Sequence, residues 1–289
     1  MQERQVKIKG LFINYKIVGD GKTPVVLLHG WGVSSDRYVA TAEAILKGDS
    51  NYKFYIPDLP GFGKSEEPQG DWKIDDYVDF TKEFVKCVAQ RETGFELVKN
   101  IIEGAVQNNG KAFSKNNKKV ILLGHSFGGR IAIKYAVEYP NDLKKLVLTG
   151  AAGIKHPLTQ RQQFFFFLSK VGKAIFSLPF LSSLKKYAEK FLYKIVREKD
   201  YVSASPRMKG VMKNALAEDL TPLLDEIKVP TLLIWGENDH STPLSDRELI
   251  HNMIEGSSLF IIKEANHSAV YNNVEEFARM FLENGAGNK

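Results

Sequence analysis

The 289-residue chain is 43% hydrophobic and 26% charged, enough apolar material for one large domain or for a domain carrying an insertion. No run approaches the roughly 18 apolar residues that a membrane span needs, and Met1-Gln-Glu-Arg-Gln-Val6 lacks the apolar stretch of a secretion signal. The single cysteine, Cys87, cannot form an internal disulfide; it is expected to be a buried, inert thiol and fits a reducing, cytoplasmic setting. The formal charge of +6 is unevenly spread: residues 151–213 hold thirteen Lys and Arg against three acids, Glu189, Glu198 and Asp200.

In chain order, the β-rich runs 6–9 and 11–17 around Gly10 read as an antiparallel hairpin. Residues 25–28 are continuously apolar, as expected of a strand buried on both faces of a parallel sheet. The loop after that strand reads His29-Gly30-Trp31-Gly32. Its glycines let the backbone turn its amides toward a site, and the Trp31 N–H is the candidate for one oxyanion donor. His29 is expected to support this loop by hydrogen bonding. A helix is predicted over 36–46, a strand over 54–56, and a long helix over 74–106 with a break near Gly94. The polar residues 108–119 should form an exposed loop.

Residues 120–123 form another buried strand, running into Gly124-His125-Ser126-Phe127-Gly128-Gly129 and then a helical pattern to Glu138. Tyr139-Pro140 closes that helix. A serine on a tight strand-to-helix turn projects its hydroxyl outward, and side chains at Gly124 and Gly128 would collide with neighbouring elements. Ser126 is therefore the candidate nucleophile, and the Phe127 N–H is the second oxyanion donor. The following helix points its N-terminus at developing negative charge. His125 is expected to turn away from the chemistry.

A strand over 146–148 precedes a segment, 153–224, with helical stretches and no convincing strand, read as a helical insertion. The core domain is thus 1–152 with 225–289. The strand 231–235 ends in Gly236-Glu237-Asn238-Asp239. Asp239 can reach a histidine from there, fix its tautomer and stabilise the imidazolium. Glu237, nearer the strand, is expected to make a surface or loop contact. After a helix over 244–254, the last strand, 259–262, leads to Asn266-His267, and a helix over 274–282 follows. His267 is the candidate general base because it lies past a strand end, the edge where open parallel sheets place their sites. His156, His240 and His251 have no such placement. The alternation of strands and helices indicates an α/β fold.

Four motifs resemble the α/β-hydrolase superfamily: His29-Gly-Trp-Gly32, Asp58-Leu-Pro-Gly-Phe-Gly-Lys-Ser65, Gly124-His-Ser-Phe-Gly-Gly129, and Gly236-x-x-Asp239-x-x-x-Pro243 with Asn266-His267. The resemblance implies a mostly parallel eight-stranded sheet flanked by helices, with the insertion serving as a helical cap between the sixth and seventh strands. It makes 58–65 a structural turn after the fourth strand. Serine at the nucleophile position, where epoxide hydrolases and haloalkane dehalogenases carry aspartate, favours esterases, carbon–carbon bond hydrolases and related acyl-transfer enzymes. So does Gly32, where those families commonly have proline. Residues 90–117 are longer than the usual pattern.

The cap segment is rich in aromatics, and Phe164 and Phe167 are candidate pocket residues. The expected substrate is a small apolar ester, cleaved through an acyl-enzyme. Hydrolysis of a carbon–carbon bond in a vinylogous diketone by the same triad is the alternative, and a non-catalytic ligand-binding protein on this fold is the reading from a different class. No cofactor or metal is expected, nor nucleic-acid binding. The basic segment could dock weakly on an anionic surface or an acidic carrier protein.

Overall fold

A computed structural model describes residues 1–88, 119–155 and 204–285. Eight strands form one sheet in the order β1-β2-β4-β3-β5-β6-β7-β8. They are β1 (Gln2–Ile8), β2 (Leu11–Val18), β3 (Thr23–Leu28), β4 (Tyr52–Pro57), β5 (Val120–His125), β6 (Leu143–Thr149), β7 (Thr231–Gly236) and β8 (Ser258–Ile262). β2 is antiparallel to both neighbours, and every pairing from β4 across to β8 is parallel. The predicted hairpin turns at Lys9 and Gly10, with φ of 50° and 83°.

The central strands read as unbroken apolar runs because helices cover both faces. Val25 and Leu27 join one core with Ile121, Leu123, Ile45, Phe277 and Phe281. Val26 and Leu28, one residue on in the pleat, join the other with Leu122, Phe80, Phe84 and Ile131. The first core lies under α1 (Val39–Gly48) and α7 (Val274–Gly285); the second lies under α2 (Ile74–Val88) and α3 (Phe127–Glu138). In α7 the exposed Glu275, Arg279 and Glu283 repeat every four residues, with Phe277 and Phe281 fully buried behind them. Burying each phenylalanine contributes roughly 2–3 kcal/mol.

The helix predicted from residue 36 starts instead as a 3-10 turn, Ser35–Tyr38, before α1. The buried Asp58 carboxylate accepts the Ser35 N–H at 2.7 Å and holds that turn. Asp58 also accepts from the Lys64 N–H at 2.9 Å and from the Asn14 side chain at 3.0 Å, so the 58–65 turn is locked to β2 and to the 3-10 turn together. β8 is only half-buried because it is a sheet edge. α5 (Leu244–Met253) and the short α6 (Ala269–Asn272) are the other core helices among the described residues. Cys87 is half-buried against the second core.

The end of the predicted long helix beyond Val88, the loop 108–118 and most of the insertion, with Phe164 and Phe167, lie outside the described residues. What is described of the insertion's far end is helical: α4 (Pro206–Ala217), whose first turn is capped by the Ser205 hydroxyl accepting the Met208 N–H at 3.1 Å, then a 3-10 turn, Thr221–Glu226. α4 rests on the turn after β4: Asn214 donates to the Asp71 carbonyl at 2.9 Å, and the Met208 sulfur fills the space a Cβ at Gly61 would need. Among the described residues no helix is long and apolar enough to cross a membrane.

Candidate active site

Ser126 sits between β5 and α3 with φ 52° and ψ −111°, a backbone region that side chains rarely adopt. Such a conformation costs about 1–3 kcal/mol and persists only where its surroundings enforce it. Here the Ser126 N–H donates to the Thr149 carbonyl at 3.2 Å, and the Ser126 carbonyl accepts from Gly129 at 2.9 Å and Ala152 at 3.1 Å. The flanking glycines are steric requirements. A Cβ at Gly124 would lie 2.6 Å from the Gly128 carbonyl oxygen, and one at Gly128 would lie 2.2 Å from that of Leu28. Helix α3 thus approaches β3 and β5 as closely as backbone allows.

The loop after β3 packs against this turn. The Gly128 N–H donates to the His29 carbonyl at 3.0 Å. His29 is fully buried; its Nε2 accepts the Leu59 N–H at 2.9 Å, so its Nδ1 carries the proton and donates to the Gly30 carbonyl at 2.7 Å. Burial pushes its pKa down to about 4, which keeps the ring neutral and this polarity intact. Gly32 turns the loop with φ 72°. The Trp31 ring stands edge-on to Phe62 and Phe127, at centroid distances of 4.8 and 5.3 Å. The backbone N–H groups of Trp31 and Phe127 meet no acceptor among the described residues.

Past β7, Asp239 is 4% exposed and saturated with donors. Its Oδ1 accepts the N–H groups of Ser241 and Thr242, both at 2.9 Å; its Oδ2 accepts the Thr242 hydroxyl at 2.7 Å and His267 Nδ1 at 2.9 Å. Burial alone would raise the carboxyl pKa. The His267 and Thr242 hydrogen bonds outweigh it, and the net shift is downward. An ionised Asp239 fixes the proton on His267 Nδ1 and leaves Nε2 as an acceptor. No hydrogen bond joins Ser126 Oγ to that Nε2 in this structure; such contacts are commonly long until a substrate is bound.

Sequence patterning pointed to Asp239 and not to its support. Thr242 was missed, although a carboxylate accepting the N–H groups two and three residues on is a recognisable turn. Gly150 was missed as well: it has φ 50°, and a Cβ there would lie 3.0 Å from the His267 ring. Glu237 is exposed and accepts the Glu264 N–H at 2.9 Å, stapling the Asp239 loop to the His267 loop. The same two loops are joined by Asn238 N–H to the Ala265 carbonyl at 2.8 Å. His240 is exposed, His251 in α5 bonds the Ser257 hydroxyl beyond the helix, and His156 lies outside the described residues. His125 does not leave the site: its buried ring lies 5.0 Å from that of His267.

Comparison with known proteins agrees with this architecture. Residues 19–273 match the family model described as serine aminopeptidase, S33. The 2-hydroxy-6-oxononadienedioate/2-hydroxy-6-oxononatrienedioate hydrolase of Klebsiella pneumoniae is 24% identical over 291 residues, covering 94% of this chain and 90% of that protein. The proline iminopeptidase of Thermoplasma volcanium is 26% identical, covering 98% of this chain and 96% of its own. Among solved structures, a bacterial membrane phospholipase A superposes with a TM-score of 0.70 at 22% identity, over 99% of this chain and 86% of that one. The sheet order, the strained serine turn and a match across most of the length make this chain a hydrolase of the α/β-hydrolase superfamily, belonging to the serine aminopeptidase S33 family.

Proposed function

We propose that the chain is a serine hydrolase that cleaves a carboxylic ester through an acyl-enzyme, with Ser126 as nucleophile, His267 as general base and Asp239 as the acid that orients it. The observation that carries the reading is a serine on a strained strand-to-helix turn; the Phe127 amide that follows it and the Trp31 amide of the loop packed against that turn meet no acceptor among the described residues. His267 Nε2 takes the Ser126 proton as Oγ attacks the ester carbon. The carbonyl oxygen becomes an oxyanion and accepts from the two amides, each contributing on the order of 3 kcal/mol in the transition state. Asp239 stabilises the imidazolium without taking its proton. Collapse expels the alcohol, which receives the proton from Nε2. Water then repeats the cycle and frees the acid.

The aromatic cluster of Trp31, Phe62 and Phe127 next to the serine turn supports an uncharged acyl chain. A second reading, hydrolysis of a carbon–carbon bond in a vinylogous diketone, draws on the full-length similarity to the Klebsiella hydrolase. Steady-state rates on short p-nitrophenyl esters, measured beside a dienol ring-cleavage product, separate the two. Ester turnover that Ser126→Ala abolishes is expected. Turnover of the ring-cleavage product with inert esters would replace the ester reading by the second.

A further inference from the structure

One buried chain of hydrogen bonds joins three parts of the site. The Gly30 N–H lies 3.1 Å from the Tyr38 hydroxyl oxygen; that oxygen lies 2.7 Å from His125 Nδ1; His125 Nε2 lies 3.0 Å from the His267 carbonyl. Tyr38 is fully buried and His125 is 2% exposed.

The direction of every bond follows from its ends. A carbonyl can only accept, so His125 carries its proton on Nε2 and donates it to His267. Its Nδ1 is then bare and accepts the Tyr38 O–H. The Tyr38 oxygen is left to accept the Gly30 N–H, which can only donate. All donors and acceptors in the chain are satisfied in one arrangement. Burial depresses the His125 pKa to about 3, so the ring stays neutral and the arrangement holds through the working pH range. A Cβ at Gly30 would lie 3.0 Å from His125 Nδ1, so the glycine keeps the path clear.

We propose that Tyr38 and His125 are positioning residues that hold the oxyanion loop and the base-bearing loop in register with the nucleophile. The role rests on the serine-hydrolase reading above. At one end the chain occupies the Gly30 amide, which leaves the next amide, Trp31, for the oxyanion. At the other it grips the backbone of His267, whose ring is fixed separately by Asp239. His125 is the last residue of β5 and directly precedes Ser126, so both loops are referenced to the nucleophile's own strand. Misplacing a reacting group by about 1 Å can cost on the order of 100-fold.

The test uses the full chain in four forms: wild type, Tyr38→Phe, His125→Gln and, as the severe case, His125→Phe. The Gln amide can still donate toward the His267 carbonyl. Losses in kcat of about 10- to 100-fold are expected for Tyr38→Phe and His125→Phe, with KM changed by less than about threefold and His125→Gln recovering part of the rate. The second-order rate of fluorophosphonate labelling at Ser126 should fall in the same order. Nitrogen NMR of histidine-labelled wild type should show the His125 ring with its proton on Nε2 and no titration from pH 5 to 9. Equal kcat and labelling rates across folded variants, or a His125 ring titrating near its ordinary value, would overturn the positioning role. Wild type that neither labels nor turns over ester would remove the hydrolase reading and the role with it, while the NMR result still reports on the hydrogen-bonded chain.

Discussion

Ser126 and Asp239 show how far a residue's state is set by its surroundings. The serine is held in its positive-φ conformation by backbone hydrogen bonds with Thr149 of β6, Gly129 and Arg130 of α3, and Ala152 just past β6. The aspartate is held ionised by four donors, and its charge in turn selects the His267 tautomer. Replacing it by Asn should leave the fold intact and lower kcat by about 10⁴-fold, because the amide presents a donor where Nδ1–H needs an acceptor. Circular dichroism and kcat measured together check this; an active Asn variant would mean that Asp239 does not orient the base. Thr242→Val removes one charge-assisted hydrogen bond of the type worth about 1.5–3 kcal/mol. A fall in kcat of at least about tenfold is expected, visible in the same assay, and a rate within twofold of wild type would deny Thr242 its part in holding the carboxylate.

At the scale of elements, glycine contacts set how closely the pieces of the site approach. Gly128→Ala must push α3 away from β3, since the new Cβ would meet backbone 2.2 Å away. Overpacking of this kind costs about 1–3 kcal/mol, and chemical denaturation should register it together with lost activity. Gly236→Ala is expected to act more locally. Its Cβ would lie 2.4 Å from the Asn266 carbonyl oxygen, so the base's loop must shift, lowering kcat at modest cost in stability. Unchanged activity in Gly236→Ala would mean that the two loops tolerate separation. The strands and helices of this framework were legible in the sequence because buried parallel strands are continuous apolar runs and the α7 stripe repeats every four residues. The Gly-x-Ser-x-Gly turn was legible because a buried apolar run precedes it and a helical pattern follows it, which makes it a tight strand-to-helix turn. The 3-10 start at Ser35 was not, because it is imposed by Asp58, 23 residues downstream. Nor was the inward turn of His125: its partners Tyr38 and His267 are 87 and 142 residues away, and no local pattern encodes such a contact.

For the molecule as a whole, two neutral imidazoles buried under the site tie stability to pH. His29 and His125 have folded pKa values of about 4 and about 3 against an ordinary 6.5. Below pH 6.5 the unfolded chain takes up protons that the folded chain refuses. The stability these groups allow is therefore complete above pH 6.5 and is lost as pH falls toward 4 and 3, by about 3 kcal/mol or more per group at the limit. Asp239, also depressed, acts in the same direction but only as pH falls past its ordinary value of 3.8. Urea unfolding from pH 7.5 to 4.5 should show a steep fall in the wild type and a shallower one in His125→Phe; parallel curves would mean that His125 takes up its proton in the folded state. The same buried polarity that makes the molecule acid-sensitive is what aligns two loops around Ser126. The central claim, that Ser126 is a nucleophile activated by His267 and Asp239, is tested most directly by intact-mass measurement after exposure to a fluorophosphonate. The account predicts one adduct per chain, mapped to Ser126, absent in Ser126→Ala and greatly slowed in His267→Ala. No adduct on the folded wild type, or equal labelling of Ser126→Ala, would contradict it.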